Sequence, residues 1–177
     1  MRGDEEGGVV QIPWLPLAFA GLVAALTALH VADLWDGLPE RFASHFGPSG
    51  RPDAFMPRGT FMTLMGAVGG GTVLLLCVLP QLLRFVPTRL INLPNRDYWL
   101  APERRDRSLA RLGNLLGWLG AATGVLFAGV MELAIRANLA QTGLDMGAFG
   151  IAMALYVATV IGVLVALVWQ FRLPLDA

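Results

Sequence analysis

Lysine is absent from the chain, and all 13 basic side chains are arginine. We read the missing lysine as a compositional bias of the genome. The 13 acidic residues balance the arginines, so the formal net charge is zero. A neutral chain gives no argument for nucleic acid or for an acidic substrate. Cysteine is nearly absent too. Cys77 stands alone in an apolar run, which excludes an intramolecular disulfide and a cysteine-based metal site. Its surroundings suit a small buried hydrophobe. No phosphate-binding loop can be assembled, because Gly69-Gly70-Gly71 lies in an apolar run with no lysine after it. No serine or cysteine nucleophile stands in a catalytic order. The opening stretch Met1 to Gly8 is net acidic and lacks the basic region of a secretory signal, so the apolar run after it is expected to be retained.

What the chain has is hydrophobic residues in long blocks. They make up 55% of it, with a mean hydropathy of +0.60, against about 45–50% in soluble domains. Four runs, roughly 12–34, 60–86, 109–137 and 147–171, are each long enough to cross about 30 Å of hydrocarbon at about 1.5 Å per residue. Valine, glycine and threonine are frequent in them and are modest helix formers. In lipid, however, every backbone amide must be paired within the segment, and that forces the helix. Pro13 and Pro16 fall in the first turn, where a missing N–H costs little, and Pro80 is expected to kink or shorten the second helix. Trp14, Trp35 and Trp169 suit membrane interfaces. The predicted fold is all-α: an integral membrane four-helix bundle, one domain over 1–177, with a structured outward loop at 35–59. No strand pair, heptad pattern or internal repeat is apparent.

Arginine placement sets the predicted orientation. Arg2, Arg84, Arg89, Arg96, Arg104, Arg105, Arg107, Arg111 and Arg172 fall on one side, and Arg41, Arg51, Arg58 and Arg136 on the other. The positive-inside rule puts both termini and the arginine-rich loop at 87–108 in the cytoplasm of a bacterial inner membrane. Small residues recur at helical spacing in three runs: Ala18, Gly21, Ala25, Ala28 and Ala32; Gly113, Gly117, Gly120 and Gly124; Ala154, Ala158, Gly162 and Ala166. In the second run Gly66, Gly69, Gly70 and Gly71 cluster. Such faces let helices approach closely, either within one bundle or against another subunit.

Two loops carry motifs. The outward loop holds Leu38-Pro39, then His45-Phe46, then Gly50-Arg51-Pro52-Asp53, directly between the first two apolar runs. It is turn-rich with aromatic punctuation, unlike a flexible linker. The central loop holds Asn92, Pro94, Asn95, Asp97, Tyr98, Trp99, Pro102, Glu103 and Arg104, a density that suggests a fixed fold. The outward pattern, over about residues 15–85, resembles the bacterial membrane module of unknown function at the N-terminus of SdpI-like (bacteriocin immunity) proteins. The central loop looks like the segment that follows this module in bacterial relatives. Phe42-Ala43-Ser44 stands where a second proline is often seen. The last two helices do not match the larger half of SdpI-like proteins, so the chain looks like a short, module-only relative. The resemblance implies a membrane protein with an immunity-like role.

Chemistry is sparse. Glu40, His45 and Asp53 offer groups that suit a metal ion or a proton, but their spacing matches no metal template, and turn-fixing hydrogen bonds explain them as well. His30 and Asp33 share a helix face, as do Glu132 and Arg136. Ionisable groups at membrane depth are functional candidates, so Glu132 and Arg136 are read either as an intramembrane polar pair or as an interfacial ion pair. Histidine is the side chain suited to proton exchange near neutral pH, which makes His30 a separate candidate for a protonation role. The arginine run of the central loop could bind anionic lipid headgroups or serve only as a topology signal.

The expected role is non-enzymatic: binding or sensing, or protection against a membrane-active peptide. The alternatives are a small transporter or channel subunit, or an accessory subunit of a membrane complex. No cofactor and no metal are expected. The expected partners are the lipid bilayer and a peptide toxin or membrane protein, not nucleic acid.

Overall fold

The structure, a computed structural model, describes residues 12–173. Four long helices dominate it: α1 (Trp14–Leu34), α2 (Arg58–Leu82), α4 (Arg105–Ala140) and α5 (Met146–Gln170), with α3 (Arg96–Trp99) a single turn before α4. All four are long and apolar enough to cross a membrane. α1 follows Pro13 and α2 follows Pro57, so each starts where proline can no longer interrupt the ladder. α2 continues past Pro80, whose ring is buried against Gly113, and closes in a 3-10 turn over Leu83–Phe85. α4 ends on Gln141 in the left-handed region (φ 53°), with Thr142 N–H bonded back to the Ala137 carbonyl at 2.9 Å. The Asp145 carboxylate accepts from Ala148 N–H at 2.9 Å and caps α5.

The all-α expectation needs one correction. The loop predicted to face outward contains an antiparallel hairpin, β1 (Arg41–Phe46) with β2 (Pro52–Pro57). The register pairs Arg41 with Pro57 and Ala43 with Phe55, then breaks on both sides of His45. That irregularity destroys the two-residue alternation by which a strand is recognised, and prolines at both ends of β2 hide it further. The third helix also runs farther than expected at both ends, from Arg105 to Ala140.

α4 is the hub. It packs against α1, α2 and α5, whereas α1 and α2 meet only slightly and α5 packs chiefly on α4. With 36 residues it extends ~54 Å, well beyond ~30 Å of hydrocarbon. Its surplus turns are covered at one end by the hairpin and at the other by the arginine-rich loop. The hairpin end buries Leu38, Phe42, Phe61, Met131, Ala134 and Ile135 together. The arginine-rich end buries Ile91, Leu93, Leu100, Leu109, Leu112 and Phe171. Between them lies a small cluster of Ala20, Val73, Cys77 and Ala121. The glycines of α4 make the close approaches: a Cβ on Gly117 would meet Pro16 at 2.8 Å, and one on Gly120 would meet Leu76 at 3.3 Å. By contrast, Gly21 of α1 and Gly162 of α5 have nothing within 4 Å of a built Cβ.

Candidate functional site

The hairpin is a fixed platform. Asn138 of α4, 4% exposed, lies against β1. Its Oδ1 accepts from Ala43 N–H at 2.6 Å, and its Nδ2 donates to the carbonyls of Ala43 at 3.1 Å and Ala134 at 2.9 Å. One side-chain amide thus replaces a neighbouring strand at a buried edge, where unpaired backbone groups are costly. Arg58, at the start of α2, donates to the carbonyls of Trp35 and Leu38, each at 2.7 Å. It also pairs with Glu40 at 2.9 Å and stacks over the Trp35 ring at 4.7 Å. At the hairpin tip Gly50 has φ +76°, and its carbonyl accepts from Leu144 N–H at 2.8 Å. A Cβ there would meet the Leu144 oxygen at 2.6 Å, so glycine is required twice over.

These contacts place each residue of the outward motif. Leu38 and Phe46 belong to the hairpin-end core, and Pro39 is half-buried between Leu38 and the exposed Glu40. Phe46 lies opposite Pro52. His45 Nδ1 and Asp53 Oδ1 meet at 2.5 Å on the exposed side. Glu40 is drawn off to Arg58, so Glu40, His45 and Asp53 are not gathered as one donor set. Among the described residues no group of three His, Cys, Asp or Glu side chains is placed to hold a metal.

Beneath the platform, α1 and α2 diverge over α4 and leave a groove of about 780 Å³. Its walls are small and apolar: Gly21, Ala24 and Ala28 on α1, and Gly66 and Gly70 on α2. Phe127 and Met131 of α4 line it as well, and Trp35 and Asp36 stand at the mouth nearest the hairpin. Built Cβ atoms on Gly21, Gly66 and Gly70 meet nothing within 4 Å, so these glycines open the groove rather than close a helix contact. Asp36 is exposed and makes no hydrogen bond or ion pair with the described residues. A separate recess of about 220 Å³ is lined by His30 and Glu132. There His30 Nε2 meets Glu132 Oε2 at 2.9 Å and Arg136 Nε donates to Glu132 Oε1 at 2.5 Å. Sequence spacing placed Glu132 and Arg136 on one face, and the fold adds His30 to them.

The central-loop motif lies at the opposite end of α4 and forms no common site with the hairpin. Asn95, left-handed at φ 51°, donates from Nδ2 to the Phe171 carbonyl at 2.8 Å, and Trp99 Nε1 donates to the same oxygen at 2.8 Å. The loop thereby caps the end of α5, where carbonyls lack helical partners. Arg104 donates to the Tyr98 carbonyl at 2.8 Å and stacks over the Tyr98 ring at 4.0 Å. Asp97 pairs with Arg96 at 3.1 Å. Pro94 is half-buried, while Asn92, Pro102 and Glu103 are exposed. Arg105 donates to Thr88 Oγ1 and to the carbonyls of Leu83, Arg84 and Val86, latching the loop to the end of α2.

Sequence reasoning missed Asn138, Arg58 and the groove. Asn138 fell one residue beyond the expected helix end, and Arg58 counted only toward topology. Comparison with known proteins adds one finding and two blanks. No curated protein and no solved structure matches the chain. The model of a family described as a domain of unknown function (DUF1648) matches residues 22–68, which cover most of α1, the whole hairpin and the first half of α2.

Proposed function

We propose that the chain is an integral protein of the bacterial inner membrane that works by binding rather than by catalysis. Its four helices cross the bilayer, the hairpin faces outward, and the chain ends and arginine-rich loop lie in the cytoplasm. The burial pattern supports lipid as the surrounding medium: α5 is the most hydrophobic of the four helices, yet it has no buried residue. Ile151, Leu155, Ile161, Leu164 and Val168 all stand exposed along it. Apolar patches on soluble monomers rarely exceed a few hundred Å².

The role we assign is capture or sensing of a membrane-active amphiphile, foremost a peptide, as an immunity-like protection. The groove carries this reading. Its volume of about 780 Å³ lies within the about 300–1,000 Å³ of ligand pockets, and its glycines leave room for an apolar segment. A cationic end would meet Asp36 at the mouth, while Asn138 and Arg58 hold the roof rigid. Resemblance to the SdpI-like module agrees with this role. The test is gene deletion, complementation and challenge with cationic envelope-active peptides. Deletion is expected to sensitise cells. Wild type should restore resistance, and the groove-filling variant Gly66→Leu/Gly70→Leu should not, despite equal membrane levels. Unchanged sensitivity of the deletion across a broad panel would overturn the protective role, and rescue by the filled groove would move binding elsewhere.

A transporter or channel reading draws on the meeting of His30, Glu132 and Arg136, but their recess is small and, apart from Thr27, otherwise walled by Leu26, Ala128, Met131 and Ile135. An accessory-subunit reading draws on the unpacked small faces of α1 and α5, and co-purification of a stoichiometric membrane partner would favour it.

A further inference from the structure

The arginines at the central-loop end are not equivalent. Arg96, Arg104 and Arg105 are consumed by the loop's own carbonyls and side chains. The side chains of Arg111 and Arg172 make no hydrogen bond or ion pair with any described residue. Each lies on an indole instead, Arg111 at 5.4 Å from the Trp99 ring and Arg172 at 4.8 Å from the Trp169 ring. Together with Gln170 and Leu173 these four side chains line a recess of about 460 Å³. Among the described residues no carboxylate lines it. A guanidinium placed over an aromatic ring spends no N–H group on that contact, and paired N–H donors match phosphate oxygens. The Trp99 wall is fixed, since its own N–H is bonded to the Phe171 carbonyl at 2.8 Å.

We propose that this recess binds a phosphate oxyanion, presented by an anionic phospholipid headgroup of the cytoplasmic leaflet. The assignment rests on the membrane reading above. Basic pockets at the cytoplasmic ends of membrane helices suit such headgroups, and tryptophan prefers that depth. Arg107, exposed on the same stretch of α4, does not line the recess and serves as a charge-matched control.

The experiment measures thermal unfolding of the full chain in mild detergent while phosphatidylglycerol, phosphatidylcholine or inorganic phosphate is titrated in. Phosphatidylglycerol is expected to raise Tm at lower concentration than phosphatidylcholine. Arg111→Gln/Arg172→Gln should weaken that response about tenfold or more, and Arg107→Gln should leave it near wild type. An equal response to inorganic phosphate would overturn the lipid assignment. A preference that survives in the double variant, or that Arg107→Gln abolishes equally, would overturn the site. Flotation with phosphatidylcholine vesicles separates the two readings. A chain that does not float refutes membrane insertion, whereas one that floats without preferring phosphatidylglycerol refutes only the headgroup site.

Discussion

Asn138 joins a helix to a strand through two hydrogen bonds to Ala43, with a third to Ala134 of its own helix, in a place closed to water. Asn138→Leu would strand the amide and carbonyl of Ala43, each a buried polar group. Stability should fall by about 2–3 kcal/mol, read as a lower unfolding midpoint in detergent, while the exposed Ser49→Ala stays near wild type. Gly50 makes a similar case in the backbone. Gly50→Ala places a Cβ 2.6 Å from the Leu144 oxygen at a φ of +76°, which should cost of order 1–3 kcal/mol and loosen the hairpin from the α4–α5 turn. Proteolysis of the hairpin in the native state would show it. At this scale the sequence was only partly legible. His45 and Asp53 stood out as polar groups in one loop, and the fold joins them. Asn138 and Leu144 gave no signal, because each acts through a chain segment some 95 residues away from its partner.

Among the elements, the helices were readable because length and apolar content alone define them, and they need no knowledge of neighbours. The hairpin was not, because its register breaks around His45 and its second strand starts and ends on proline. Its pairing depends on α4 as much as on local sequence. The small-residue stripes looked alike in the sequence, yet the fold uses them differently. Those of α4 carry helix contacts, as does Gly69 of α2 against Phe127, whereas Gly21 of α1 and Gly66 and Gly70 of α2 open the groove. This yields a paired outcome. Gly117→Leu drives a side chain into Pro13 and Pro16 and should destabilise by about 1–3 kcal/mol or more. Gly66→Leu projects into open space and should leave the unfolding midpoint unchanged or higher. Equal losses from both would contradict the assignment of faces.

Across the whole molecule, the lipid surroundings we propose would settle how much apolar surface the fold can leave uncovered. A single hub helix with three partners and an open groove would be a poor design in water, where α5 would need cover. In a bilayer the acyl chains would supply it, and the folded loops at both ends of α4 would meet the aqueous phases. In the proposed reading charge placement sets the direction, with the arginine-rich loop inside and the hairpin outside.

That arrangement can be tested with single cysteines placed by Ser49→Cys and by Glu103→Cys, both in a Cys77→Ala background and labelled in intact cells by a membrane-impermeant maleimide. The four-crossing account expects position 49 to react at once and position 103 to react only after the membrane is opened. Equal labelling of the two before permeabilisation, or recovery of the chain in the soluble fraction, would contradict it.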